Sequence, residues 1–249
     1  MTARDDYLGA LVEAAETVLG ESLDGRTVVC PDPDRAGSRA ATSYPMPAGT
    51  VVWCDPALVG RVTEVLGESA KYAITTDRWL QLALAAGAEH LGSGNNRVLV
   101  EGVIAPEPAQ DGVEARILAV DDAQHMATLA AFVAGCSDDD VEEADIDLDE
   151  PDPLIVGLFD GESMVAYGSG RPYDDIPAFD DIGVLTSADH RRRGLGGRVV
   201  AEFVRRRLES DPTRRMLYRC NVDNAGSNAV AQALGFTLVH TIGAVRFPE

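Results

Sequence analysis

The chain has 249 residues, 45% of them hydrophobic, enough for one large or two small packed domains. Its formal net charge of −20 excludes general binding to nucleic acid or to an anionic membrane, because the field of the whole molecule repels polyanions. The cysteines, Cys30, Cys54, Cys136 and Cys220, include no C-x-x-C pair, which indicates neither a zinc site nor a disulfide framework; reduced thiols are expected.

The N-terminal run M-T-A-R-D-D-Y-L-G-A-L-V-E-A-A-E predicts an acidic amphipathic helix. It lacks a signal peptide's continuous apolar core, and no run approaches membrane-spanning length, so a cytoplasmic protein is expected. Residues 50–55 read as a strand and residues 56–66 as a helix with Asp55 as cap and Pro56 at its first position. A helix over 77–86 stopped by Gly87 and a strand over 97–103 follow. These mixed elements predict a smaller α/β N-terminal domain of unassigned role over residues 1–110. The run A-P-E-P-A-Q-D-G, ending at Gly112, reads as an exposed linker, with a second domain over 113–249.

In that second part, residues 115–120 read as a strand and 121–134 as a helix capped by Asp121 or Asp122 and closed by Gly135. Residues 137–150 are acidic and read as a short helix or a loop. Strands over 154–159 and 163–169 flank Asp160-Gly161, a tight-hairpin signal, and residues 170–179 read as a Pro- and Asp-rich loop.

The most informative segment is 181–197, D-I-G-V-L-T-S-A-D-H-R-R-R-G-L-G-G. Ile182, Val184 and Leu185 form a short strand, and Leu195, Val199, Val200, Phe203, Val204 and Leu208 recur at helical spacing from Gly194 to Glu209. Between them lies Arg191-x-x-Gly194-x-Gly196. Glycine admits a ligand close to the backbone, and the free N–H groups of a helix's first turn attract an anion. A second strand over 216–222 leads to Asn224 and a helix whose apolar stripe is Ala229, Val230, Ala233 and Leu234, with Gly235 as its left-handed stop. A strand over 236–241 and a final strand are expected after it. The pattern is not a Rossmann fingerprint, since R-x-x-G-x-G differs from G-x-G-x-x-G, and it is not a phosphate loop of the Walker type, since the one lysine is Lys71. Residues 190–249 hold 11 of the 21 Lys+Arg and 5 of the 41 Asp+Glu, so the only basic region coincides with the glycine turn.

This order of strand, R-x-x-G-x-G turn, helix, strand, Asn-led helix and Gly-Phe resembles the GNAT superfamily of acyl-CoA-dependent N-acetyltransferases. The resemblance implies a mixed, mainly antiparallel twisted sheet flanked by helices, and it allows the N-terminal part to be a degenerate copy of the same fold, although that part has no R-x-x-G-x-G. It implies acetyl-CoA as co-substrate and no metal. By resemblance the backbone of Val184, Leu185 and Thr186 pairs with the pantetheine arm. Arg191, Arg192, Arg193, Gly194, Leu195, Gly196 and Gly197 wrap the diphosphate, and Asn224 lies near the pantetheine or serves as helix cap. Relatives commonly place a proton-donating tyrosine seven residues after the asparagine; here that position is Ala231, which leaves Tyr218, Ser227, water or no acid. The base is expected to be a carboxylate entering the glycine turn, Asp181 before Asp180, with Asp174 and Asp175 adding an acidic cluster that draws in a cationic amine or is simply a solvated loop.

The expected activity is direct transfer of an acetyl group to a primary amine of a small molecule or peptide. The competing reading is a non-catalytic acyl-CoA-binding or interaction protein that kept the cradle and lost the acid. No nucleic acid or membrane partner is expected, and the oligomer allowed is a homodimer.

Overall fold

A computed structural model describes residues 2–100, 112–173 and 176–249. In chain order the elements are α1 (Ala3–Leu19), β1 (Thr27–Pro31), β2 (Ala40–Met46), β3 (Gly49–Cys54), α2 (Val59–Leu66), α3 (Thr76–Ala85) and β4 (Glu89–Leu99). Then come β5 (Val113–Leu118), α4 (Ala123–Ala134), α5 (Asp138–Glu143), β6 (Ile155–Asp160), β7 (Ser163–Tyr173) and β8 (Ile176–Thr186). The last four are α6 (Leu195–Ser210), β9 (Arg215–Asn221), α7 (Ala225–Ala233) and β10 (Phe236–Arg246).

Helix starts follow local chemistry. Thr2 and Asp5 form a reciprocal capping box for α1, the Asp55 carboxylate accepts from the Ala57 N–H at the turn leading into α2, and Thr75 caps α3. Asp122 accepts from the N–H groups of Gln124 and His125 at the start of α4, and Ser137 caps α5.

Two compact units result, one of residues 1–97, 220–224 and 238–249, the other of residues 98–219 and 225–237. The first thus recruits β10 from the far end of the chain. Its strand order is β1-β3-β2-β10-β4, with β1 parallel to β3 and the β3–β2 and β2–β10 pairs antiparallel. In the second unit the order is β9-β8-β7-β6-β5, antiparallel except for β8 with β9.

In the second unit α6 buries Leu195, Val199, Val200, Phe203 and Val204, each contributing about 1.5–3 kcal/mol by burial. It sits so close to β7 that a Cβ on Gly170 would lie 2.7 Å from Cζ of Phe203. Leu118, Leu129, Phe132, Ala144, Tyr167 and Leu185 belong to a separate core cluster that includes α4. Alternation along β8 therefore turns Leu185, Gly183 and Asp181 to the side of α4 and α5, where the Ala144 carbonyl would lie 2.5 Å from any Cβ on Gly183.

Several expectations are corrected. Residues 170–173 and 176–179 are strand, not loop, because glycine in β7 admits Phe203 rather than a turn. Ala231 and Leu234 are buried and Val230 half-buried while Ala229 and Ala233 are exposed, which rotates the apolar stripe of α7 by one position. One 11-residue strand, β10, replaces the two strands expected at the end. β4 begins at Glu89, eight residues before the expected start, since Asn95 and Asn96 find partners on β10. The region of the expected boundary, 101–111, and Asp174 and Asp175 lie outside the described residues.

The first unit buries a polar network. The Asn96 amide donates to the Tyr7 hydroxyl at 2.9 Å and to His240 Nε2 at 3.1 Å, and His240 Nδ1 donates to the Pro45 carbonyl at 3.2 Å. The Tyr7 and Tyr44 rings meet the imidazole edge-on, each 5.7 Å away. His240 is thus held neutral, and burial pushes its pKa down to about 4. An unfolded chain takes up that proton near pH 6.5, so stability is full above that value and declines as pH falls toward 4. Denaturant titrations at pH 7.5 and 4.5 should show a loss on the order of 3 kcal/mol that His240→Gln abolishes; an equal pH dependence in the variant would contradict this.

Candidate active site

β8 and β9 are in register only from Phe179–Arg215 to Asp181–Leu217, yet β8 runs on to Thr186 and β9 to Asn221. The direction of the backbone groups past that point follows from the other neighbour. The Ser187 N–H donates to the Val165 carbonyl at 3.1 Å, and antiparallel pairs alternate, so Leu185, Gly183 and Asp181 bond toward β7. Ile182, Val184 and Thr186 therefore turn their N–H and C=O groups to the edge from which β9 has departed. Leu185 is a correction: its backbone is committed to β7 and its side chain to the core.

At the end of this edge stands the first turn of α6. Gly194 is its N-terminal cap residue with φ +75°, a conformation that costs other residues about 1–2 kcal/mol, and no side chain caps the turn. The first intrahelical bond runs from the Arg198 N–H to the Gly194 carbonyl, which leaves the N–H groups of Leu195, Gly196 and Gly197 without helical acceptors. A Cβ on Gly196 would make only ordinary contacts, 3.4 Å from Val230 Cγ2 and 3.5 Å from Thr186 Oγ1, and one on Gly197 would meet nothing within 4 Å. The fold itself does not require glycine at these two positions.

The arginines divide. Arg191 is engaged: its Nε donates to the Thr186 carbonyl at 3.2 Å and its Nη2 to Asp140 at 2.7 Å. Arg192 adopts φ +63°, and both it and Arg193 are exposed beside the turn. Asn224 falls in the first unit, where its N–H donates to the Asn221 carbonyl at 3.1 Å.

The two adjacent aspartates have different fates. Asp180 has no solvent exposure and is gripped by Arg207 Nε at 2.7 Å, by Arg214 Nε at 3.1 Å and by Arg214 Nη2. Asp181 accepts from Arg219 on Oδ2, while its Oδ1 is sealed from solvent with no hydrogen-bond partner. Burial pushes the Asp181 carboxyl up; Arg219 opposes this, and the carboxylates of Asp145 and Asp152 add to it. Tyr218 is buried at 1% exposure with its ring 5.4 Å from that of Phe236. Ala231, at the position of the expected acid, is fully buried, so a tyrosine there would need repacking.

Arg207, Arg214 and Arg219 were not singled out by sequence. Arg219 interrupts the apolar run Met216-Leu217-Tyr218, which is the one local signal for it; the other two look like ordinary surface charges. His190 contacts Ser187 Oγ at 2.9 Å, and among the described residues no group of three or more His, Cys, Asp or Glu could hold a metal ion.

Comparison with known proteins places these features in a family. Residues 117–236 match the model of the acetyltransferase (GNAT) family. No curated protein sequence matches the chain. A solved tandem GNAT protein from the clavulanic acid biosynthesis pathway matches over 100% of this chain and 98% of its own, with 14% identity and a TM-score of 0.52. A GNAT-family acetyltransferase from Colwellia psychrerythraea matches over 79% and 76%, with 12% identity and a TM-score of 0.51. A GCN5-related N-acetyltransferase from Kribbella flavida shares 19% identity at a TM-score of 0.49, and this chain covers 63% of its length. These likenesses concern the fold. The C-terminal part of the chain, residues 117–236, belongs to the GNAT acetyltransferase family.

Proposed function

We propose that the chain transfers an acetyl group from acetyl-CoA directly to a primary amine. The observation that carries this reading is the end of β8–β9 pairing at Asp181, which leaves the backbone edge of Val184 and Thr186 beside the uncapped first turn of α6. The extended arm of acyl-CoA suits such a strand edge and its diphosphate suits a helix N-terminus, where backbone N–H groups and the helix dipole favour negative charge. Acyl-CoA supplies an activated thioester. Arg192 and Arg193 offer charge to its phosphates. An N–H on the β8 edge stabilises the developing oxyanion, and Asp181 takes a proton from the acceptor amine. Asp180, saturated by two guanidinium groups, has a structural role in this reading. A cytoplasmic location accompanies it.

The first unit is, on this reading, the degenerate half of a tandem arrangement, supported by the whole-chain likeness to a tandem GNAT protein and by the absence of R-x-x-G-x-G from residues 1–97. The second reading, a non-catalytic acyl-CoA binder, is favoured by one observation: the acid position holds a buried alanine. Thiol release against an amine panel separates the two, since a pure binder gains stability from CoA without releasing thiol.

Two variants separate the roles of the glycines. Gly194→Ala should destabilise the fold by about 1–2 kcal/mol, because alanine resists positive φ. Gly196→Ala should leave the melting temperature unchanged or raised, as helix propensity favours alanine, yet weaken CoA binding measured by calorimetry. Undiminished affinity in the Gly196 variant would remove the turn from the cofactor site.

Asp181→Asn keeps the shape and removes the base. It should lower kcat/KM about 10²-fold or more and erase the acidic limb of the pH profile, with CoA affinity retained. A wild-type profile in the variant would mean that the amine arrives already neutral.

A further inference from the structure

Arg219 lies two residues past Leu217, the last β9 residue in register with β8. Its guanidinium turns back to Asp181: Nε donates to Oδ2 at 2.8 Å, and Nη2 donates to the same oxygen. The Tyr173 ring supports it, with the guanidinium carbon 5.1 Å from the ring centroid. Both bonds therefore fall on one oxygen. The other, Oδ1, is buried and has no donor, which is an unfavourable state for a carboxylate oxygen unless a ligand N–H completes it.

The surroundings select the charge of that ligand. Arg171 stands opposite Asp181 on β7 but gives its Nε to Asp152, whose other oxygen accepts from Ser169. The carboxylates of Asp145 and Asp152 both bear on Asp181. From Asp138 to Asp152 the chain carries ten Asp and Glu and no Lys or Arg, so the field on this side favours a cation.

We propose that Arg219 is the positioning residue that makes Asp181 one-ended, fixing Oδ2 and leaving Oδ1 to receive an N–H of an acceptor that arrives as an alkylammonium ion. This rests on the reading of Asp181 as proton acceptor and narrows its substrate class. One ammonium proton passes to Oδ1, and the freed nitrogen lone pair forms the new N–C bond at the thioester carbonyl. The C–S bond then breaks, a second nitrogen proton leaves with the thiol, and Asp181 returns its proton to water. An arylamine arrives neutral and needs no proton taken by Oδ1 before its nitrogen attacks.

The test uses the full chain with carboxyl-labelled aspartate, as wild type, Arg219→Gln and Arg219→Lys, and the isomeric amines 2-phenylethylamine and 4-ethylaniline. In Arg219→Gln the Asp181 titration followed by carbon NMR should move up by about one pH unit or more, and Arg219→Lys should restore most of that shift. The acidic limb of kcat/KM should move by the same amount while CoA affinity stays unchanged. Wild type should prefer 2-phenylethylamine by about tenfold or more. An unmoved Asp181 titration in folded Arg219→Gln, or equal rates with 4-ethylaniline, overturns the proposal. Wild type that binds CoA but releases thiol with neither amine overturns the acyl-transfer reading instead. In that case the Asp181 resonance still decides the role of Arg219, since it must respond to 2-phenylethylamine in wild type and lose that response in Arg219→Gln.

Discussion

The site depends on a buried carboxylate whose oxygens are occupied by two guanidinium groups. Asp180, with no solvent exposure, joins Arg207 near the C-terminal end of α6 to Arg214, which also donates to the Pro177 carbonyl at the start of β8. A buried charge is tolerated only when paired this completely, and removing one partner of such a group typically costs about 3–5 kcal/mol. The clamp fixes the entry to β8 against α6 and the lead into β9, at the residues where those two strands are in register. Beyond Asp181 the register ends. A strand edge with outward-facing backbone groups is thereby held open next to a helix N-terminus, where an unanchored sheet would close by pairing.

Alternation along one strand then separates architecture from chemistry. Asp180 turns toward α6 and is saturated, while Asp181, one residue on, turns toward α4 and α5 and keeps one oxygen without a donor. The net charge of −20 is compatible with binding a polyanionic co-substrate because Arg192 and Arg193 are exposed beside the glycine turn, whereas Asp181 lies under the carboxylates of Asp145 and Asp152. The two substrates of the proposed reaction thus meet fields of opposite sign.

Much of this was legible in the sequence where chemistry is local. Gly194 at the start of α6, the Asp122 cap and the Asp160-Gly161 hairpin all act within a few residues, and the structure has them where the spacing implies. What could not be read depends on distant partners. β4 is rich in glycine and asparagine, and it is a strand because Asn95, Asn96 and Gly94 fit against Thr241, His240 and Ile242. Gly170 looks like a turn residue until Phe203 is placed above it. Leu185 looks equivalent to its neighbours until the hydrogen bonds to β7 show which way its backbone faces. Arg219 breaks an apolar run, but nothing local names its partner; only the fold brings it to Asp181.

The role of the β8 edge is tested most directly by residue-resolved amide hydrogen exchange with and without CoA. Binding along that edge should slow exchange at Val184 and Thr186 and in the first turn of α6, and leave Leu185, already bonded to β7, unchanged. Protection spread evenly over 182–186, or confined to residues outside β8 and α6, would contradict a ligand that pairs with this strand.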